Sequence, residues 1–159
     1  MQAVMEITYR EYRAGDAENF RVLNEQWIAK YFALEEKDIE VLSEPEKHIL
    51  GPGGRIYFAT LGDEIVGCCA LIVNGPRSYE VAKMAVREEH RNQGIGKALL
   101  AHVIEAARSL GVYRLTLETN SKLANAIHVY EALGFQHIDP AKVEPSPYKR
   151  ADVHMEMYL

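Results

Sequence analysis

The chain has 159 residues, 48% hydrophobic and 26% charged, the balance of one soluble globule large enough to bury a core. Lys plus Arg number 18 against 23 Asp plus Glu, and the net charge of −5 argues against nucleic acid or an anionic membrane as the main partner. No apolar run approaches the ~20 residues of a membrane span, and no charged-then-apolar leader opens the sequence, so a cytoplasmic, single domain over residues 1–159 is expected.

Ile7 to Tyr12 alternates and predicts a strand, which Ala14-Gly15-Asp16 breaks, with Asp16 placed to cap the following helix. Phe20, Leu23, Trp27 and Tyr31 recur at helical spacing, widened by Val22 and Ile28. A second helical stretch over 34–50 carries Glu35, Glu36, Asp38, Glu40, Glu44 and Glu46, and Pro45 interrupts or restarts it. After the break at Gly51-Pro52-Gly53-Gly54, two apolar runs, Arg55 to Leu61 and Ile65 to Val73, flank Gly62-Asp63 as a hairpin. The only cysteines, Cys68 and Cys69, are strand neighbours that point to opposite faces, so they read as core filling in a reducing compartment.

The stretch 79–98 organises the rest of the chain. It opens as a strand to Val86, passes a charged turn, meets Gly94 and Gly96, and enters a helix running to Leu110 with Gly111 as its stop. A strand, a glycine turn and a helix N-terminus make an anion site, because the first helical turn has unpaired N–H groups at the positive end of the dipole. A P-loop is excluded by Arg91 and Ala98, which stand where glycine and Ser or Thr are needed. The dinucleotide pattern fails at Leu99 and at the length of the turn.

Tyr113 to Thr119 predicts a strand parallel to the one before the glycines, since a helix links them. The next helix starts at Asn120 or Ser121, carries Leu123, Ile127, Tyr130 and Leu133, and ends at Gly134. Phe135 to Ile138 is a short strand, 139–148 a loop with three prolines, and Ala151 to Leu159 an alternating closing strand. The six histidines show no metal-ligand spacing, so no metal is expected. The sum is one mixed α/β domain.

Two blocks at their proper separation identify what the chain resembles. Arg91, Gly94 and Gly96 meet R/Q-x-x-G-x-G/A, and Asn125, Tyr130, Gly134 and Phe135 meet the main positions of N-x-x-A-x-x-x-Y-x-x-x-G-F, whose alanine falls at Ala126 here. Together they resemble the GNAT superfamily of acyl-CoA-dependent N-acyltransferases. The resemblance implies a mostly antiparallel sheet with one parallel, splayed strand pair and about four flanking helices. It implies acetyl-CoA as co-substrate and an amine as acceptor, with a homodimer left open. The pyrophosphate would meet Arg91, Asn92, Gln93, Gly94, Ile95, Gly96, Lys97 and Ala98, and the pantetheine arm the strand edge at Met84, Ala85 and Val86. By the same resemblance the Met84 amide faces the thioester oxygen, Glu80 is the leading general base with Glu118 second, Tyr130 is the general acid and Asn125 a cofactor-side hydrogen bonder.

By the same resemblance the acceptor pocket would draw on 27–36 and 148–154. The carboxylates of 35–46 read as a solvated helix face before they read as a site for a cationic amine. Trp27, Tyr31, Phe32 and Tyr148 read either as core or as an apolar wall. A catalytically silent acyl-CoA sensor or docking module is the alternative to an enzyme.

Overall fold

The computed structural model describes residues 6–159. Seven strands hydrogen-bond into one sheet: β1 (Ile7–Glu11), β2 (Arg55–Leu61), β3 (Glu64–Gly75), β4 (Ser78–Val86), β5 (Arg114–Thr119), β6 (Gln136–His137) and β7 (Val153–Tyr158), in the order β1-β2-β3-β4-β5-β7-β6. Every neighbouring pair is antiparallel except β4 and β5, which are parallel because α3 (Ile95–Ser109) carries the chain between them. The remaining helices are α1 (Ala17–Tyr31), α2 (Glu36–Ser43) and α4 (Ala124–Leu133). The mostly antiparallel sheet with one parallel pair and four flanking helices is the architecture the sequence implied.

The sheet buries both faces, as the period-two patterns require. On one face Phe20, Leu23 and Ile28 of α1 and Val41 and Leu42 of α2 pack on Ile56, Phe58, Cys68 and Ala85. On the other, Leu99, Leu100, Val103 and Ile104 of α3 pack on Ala59, Cys69, Val81, Leu115 and Met155. Cys68 and Cys69 thus enter opposite cores, and neither is paired.

Two local expectations, the Asp16 cap and the start of the last helix, are corrected, and the break at Pro45 falls where the sequence puts it. Asp16 stands at the start of α1, but its backbone is helical there and its side chain makes no cap. The carboxylate instead accepts from the Arg10 guanidinium at 2.7 and 3.0 Å and from the Arg13 N–H at 2.7 Å, where the full charge of arginine outcompetes a helix amide. The second helical stretch ends at Ser43, and after Pro45 a π-type turn, Glu46–Leu50, closes with the Gly51 N–H on the Glu46 oxygen at 2.7 Å. Finally, α4 begins at Ala124 because the side chains of Asn120 and Ser121 are engaged elsewhere. Asn120 Nδ2 donates to the Arg150 carbonyl at 2.7 Å, and the Ser121 N–H and Oγ donate to Asp152 at 2.8 and 3.0 Å.

Registry along β4 creates the site. Its parallel pairing with β5 runs from Ser78–Arg114 to Val81–Leu117 and then stops. Just beyond, Lys83 adopts φ +53°, and the register with β3 slips so that Lys83 and Met84 both lie opposite Cys69. A bulge bends its strand and breaks the ladder locally. The edge of β4 from Ala82 to Val86 therefore parts from β5 and leaves a gap in the sheet.

Gly54, where the π-type turn enters β2, marks a close backbone approach: a Cβ there would strike the carbonyl oxygens of Leu71 and Ile49. Gly54→Ala is expected to lower stability by about 2–3 kcal/mol, read as a reduced denaturant midpoint with an unchanged slope.

Candidate active site

The gap between β4 and β5 widens into a cleft of about 600 Å³. Its walls include Glu80, Met84, Ala85, Val86, Arg91, Asn92, Gly94, Ile95, Gly96, Lys97, Asn125 and Tyr130, so most residues expected at a cofactor site converge on one space. Gln93 and Ala98 are not on its walls; the Ala98 N–H closes the first turn of α3 on the Gly94 oxygen at 3.1 Å. The amides of Ile95, Gly96 and Lys97 precede that bond and are the unpaired donors of the helix start.

The two glycines do different work. Gly94 takes φ +79° to turn the chain into α3. Gly96 is under no such demand: a Cβ there would meet only Val86 Cγ2, at an ordinary 3.6 Å, so the space it leaves belongs to the cleft. Arg91 is no solvated surface charge. Its Nε donates to the Val86 carbonyl at 2.9 Å, and its Nη1 is buried without a hydrogen-bond partner among the described residues. Unpaired helix amides, an orphaned guanidinium nitrogen and a strand edge freed from its neighbour together fit an anionic head followed by an amide-bearing arm.

Glu80 and Tyr130 face this cleft from opposite layers. Glu80 pairs in register with Ile72 of the α1/α2 core, whereas Tyr130 packs with the α3 core and meets Phe135 edge-on at 6.2 Å. Burial, then the nearby Glu118 carboxylate, push Glu80 up to about 7, with Lys83 pulling the other way. Burial also raises the Tyr130 phenol to about 12. Glu118 lies two residues beyond Thr116, the register partner of Glu80, so both carboxylates leave the same sheet face. Glu118 accepts from Ser146 Oγ at 2.7 Å and lies 3.9 Å from Nδ1 of its cross-strand neighbour His154. His154 stands behind Glu118 and is not itself on the cleft wall.

The sequence reading missed the arrangement beside them. Asp38, with no exposed side-chain surface, accepts from Lys83 Nζ at 2.7 Å, from both Nη atoms of Arg150 at 2.6 Å and from the Glu35 N–H at 2.9 Å. Glu35 in turn pairs with Arg150 at 3.3 Å. Lys83 Nζ also donates to the Tyr148 hydroxyl at 3.0 Å and lies 4.4 Å from the centre of that ring. Burial raises Asp38 while the hydrogen bonds from Arg150 and Lys83 lower it further, to about 2. Two of the six carboxylates read as a solvated helix face are thus buried or half-buried counter-ions. The signal present in sequence was weak: a lone cation at 83 in an apolar strand and the pair Lys149-Arg150 in a loop.

The aromatic residues open to both readings divide. Trp27 and Phe32 pack against the α1/α2 core, yet both line the cleft with Tyr31 and Tyr148. Burial pushes the Cys68 thiol up to about 12 and the Cys69 thiol further, consistent with core filling. Among the described residues no cluster of three or more His, Cys, Asp or Glu is arranged to hold a metal ion, and no helix is long and apolar enough to cross a membrane.

Comparison with known proteins places this geometry. The model of the acetyltransferase (GNAT) family matches residues 3–135. An uncharacterised N-acetyltransferase of Bacillus subtilis, YsnE, is 37% identical over 109 residues, 63% of this chain and 72% of that protein. A GNAT-family acetyltransferase crystal structure from Staphylococcus aureus shares the fold at a TM-score of 0.84 and 23% identity, covering 96% of this chain and 99% of the other. A Bacillus subtilis acetyltransferase solved in complex with CoA superposes at a TM-score of 0.74 with 19% identity, covering 97% and 99%.

Two outcomes follow from the site's geometry. Gly96→Ala should fold as well as the parent but bind CoA at least about tenfold more weakly by calorimetry, since the added methyl enters the cleft. Asp38, held at about 2 against an ordinary 3.8, contributes about 2 kcal/mol that is present above pH 4 and lost as pH falls through 2. Asp38→Asn, which strands Lys83 and Arg150, should cost about 3–5 kcal/mol near neutrality. Its denaturation midpoints between pH 5 and pH 2 should fall less steeply than those of the parent.

Proposed function

The chain belongs to the acetyltransferase (GNAT) family, acetyl-CoA-dependent N-acetyltransferases, and from that premise we propose that it passes the acetyl group to a primary amine by direct attack. The observation that carries this reading is Glu80, a half-buried carboxylate raised to about 7 on the wall of the cleft that Tyr130 also lines. An alkylammonium titrates near ~10 and attacks only when neutral. A carboxylate at its ordinary 4.5 would be a poor match for that proton; at about 7 the gap narrows by more than two units, worth about 3 kcal/mol of driving force.

Acetyl-CoA supplies the thioester and its acyl carbon. The chain's own residues supply the rest. The amides of Ile95, Gly96 and Lys97 with Arg91 hold the pyrophosphate, and Met84 to Val86 offer an unpaired strand edge to the pantetheine amides. We assign the Met84 N–H as the donor to the carbonyl oxygen as charge develops. Glu80 removes the ammonium proton, directly or through water. Tyr130, whose phenol keeps its proton up to about 12, donates to the departing sulfur. A pKa so high favours a hydrogen bond that strengthens as the sulfur gains charge over outright transfer early in the reaction. Asn125 lines the cofactor side of the same cleft.

The pH dependence of kcat/KM should show a rising limb near pH 7, because the base works only when ionised and Glu80 ionises above its raised pKa. Glu80→Gln should remove that limb and lower kcat/KM by about 10²–10³-fold, and Tyr130→Phe should lower kcat while leaving CoA affinity unchanged. Thiol release from acetyl-CoA across a panel of amines measures all three, and full activity in both variants would overturn the assigned roles.

A further inference from the structure

The acceptor side of the cleft combines charges of two kinds. One set is closed on itself: Lys83 and Arg150 both border the cleft, yet both are engaged by Asp38 and, for Arg150, also by Glu35. The other set is open. Glu80 has no ion-pair partner among the described residues, and Glu118, on the same sheet face, is held in place by Ser146 and His154. Two carboxylates directed into one partly dehydrated space repel, and a single cation between them relieves both.

The wall opposite is apolar and has little room for further charge. The rings of Tyr31, Phe32 and Tyr148 already lie beside the chain's own cations: Arg91 is 6.0 Å from the Tyr31 centroid, Lys122 4.7 Å from Phe32, and Lys83 and Arg150 are 4.4 and 4.6 Å from Tyr148. Trp27 touches two of them, Tyr31 at 5.4 Å and Phe32 at 6.2 Å, and itself lines the cleft. Cation–π recognition of the acceptor at those three rings would compete with partners already in place. An incoming ammonium is therefore drawn to the carboxylates, and the aromatic cluster is left for hydrocarbon.

Resting on the acetyl-transfer reading, we infer that the acceptor is an amine with one positive charge and an apolar, preferably aromatic, body, its ammonium seated between Glu80 and Glu118 and its body against Trp27. The same arrangement selects against two common alternatives. An α-amino acid brings a carboxylate next to Glu118, while of the cations on the cleft wall Lys83 and Arg150 already serve Asp38 and Lys122 lies over the Phe32 ring at 4.7 Å. A polyamine brings a second ammonium, for which Glu35 and Asp38 are unavailable because Arg150 and Lys83 neutralise them. In this scheme Glu118 determines specificity, whereas Glu80 acts on the proton.

Trp27 is the only tryptophan, so intrinsic fluorescence reports on ligands in this cleft. With CoA present, 2-phenylethylamine and L-phenylalaninamide should each shift the signal at concentrations about 10²-fold below L-phenylalanine and spermidine. Glu118→Gln should weaken 2-phenylethylamine by about tenfold and narrow the gap between phenylalaninamide and phenylalanine, a change that general loosening would not produce, and Glu118→Asp should restore the gap in part. Equal or tighter binding of phenylalanine or spermidine, an unchanged gap in Glu118→Gln, or no fluorescence response to any amine overturns the inference. Turnover of the same amines with acetyl-CoA separates the two claims. Selective binding without turnover overturns acetyl transfer and upholds the recognition, and turnover without selectivity does the reverse.

Discussion

The cleft depends on the carboxylate of Asp38. It gathers four hydrogen bonds, one from Lys83 on β4, two from Arg150 ahead of β7 and one from the Glu35 amide at the start of α2. Each of these charges alone would be expensive to bury; closed on one another they are tolerated, and removing any one strands the others. The closure has a backbone consequence. Lys83 sits at φ +53°, a conformation that costs an L-residue roughly 1–2 kcal/mol, and its ammonium, with only 5% of the side chain exposed, is tied to the buried Asp38 of α2. That residue belongs, with Met84, to the bulge just beyond the last pairing of β4 with β5. An ion pair between α2 and β4 therefore helps hold open the strand edge on which the cofactor reading relies.

Most of the architecture could be read from patterns confined to a few residues. Gly94 before the periodic run to Leu110 located α3, and the helix between Val86 and Tyr113 required the strands on either side to be parallel. Alternation placed Cys68 and Cys69 in opposite cores. Tyr130 and Arg91 reached the same cleft, as the two blocks implied, although they come from different elements. What escaped was set by distant partners. Asp16 looks like a cap in sequence because the Arg10 that claims it lies in a different element. Asn120 and Ser121 look like a helix start because their partners, Arg150 and Asp152, lie thirty and thirty-one residues onward.

The acidic run from Glu35 to Glu46 shows the limit most clearly. Glu36 and Glu40 are exposed, as a solvated face should be, but Asp38 between them is fully buried. Composition cannot separate them; the helical period can, since Asp38 shares its side of α2 with the buried Val41 and Leu42, three and four residues on. A carboxylate on an apolar face demands a buried cation, and the sequence contained that demand without naming Lys83 as the answer. The base candidates divide along the same line. Strand alternation puts Thr116 and Glu118 on one face, and only the registry of β4 on β5, which sets Glu80 beside Thr116, shows that the two carboxylates are near neighbours.

The segregation of charge in the cleft also bears on why an acyl-CoA site of this kind would be more than a binding module. Against an ordinary 4.5, a folded pKa of about 7 means that ionising Glu80 costs about 3 kcal/mol of stability, a penalty absent below pH 4.5 and fully felt once the pH passes 7. A module that only held CoA would gain by neutralising that group, and the means are close at hand, since Lys83 lies three residues along the same strand. Its ammonium is turned to Asp38 instead, so that its effect on Glu80 ranks below those of burial and of Glu118. The available cations complete the scaffold, and the carboxylate whose proton affinity suits an amine is left unpaired beside the free strand edge. On the proposed reading, stability is forgone at the position where an attacking nitrogen would meet its base.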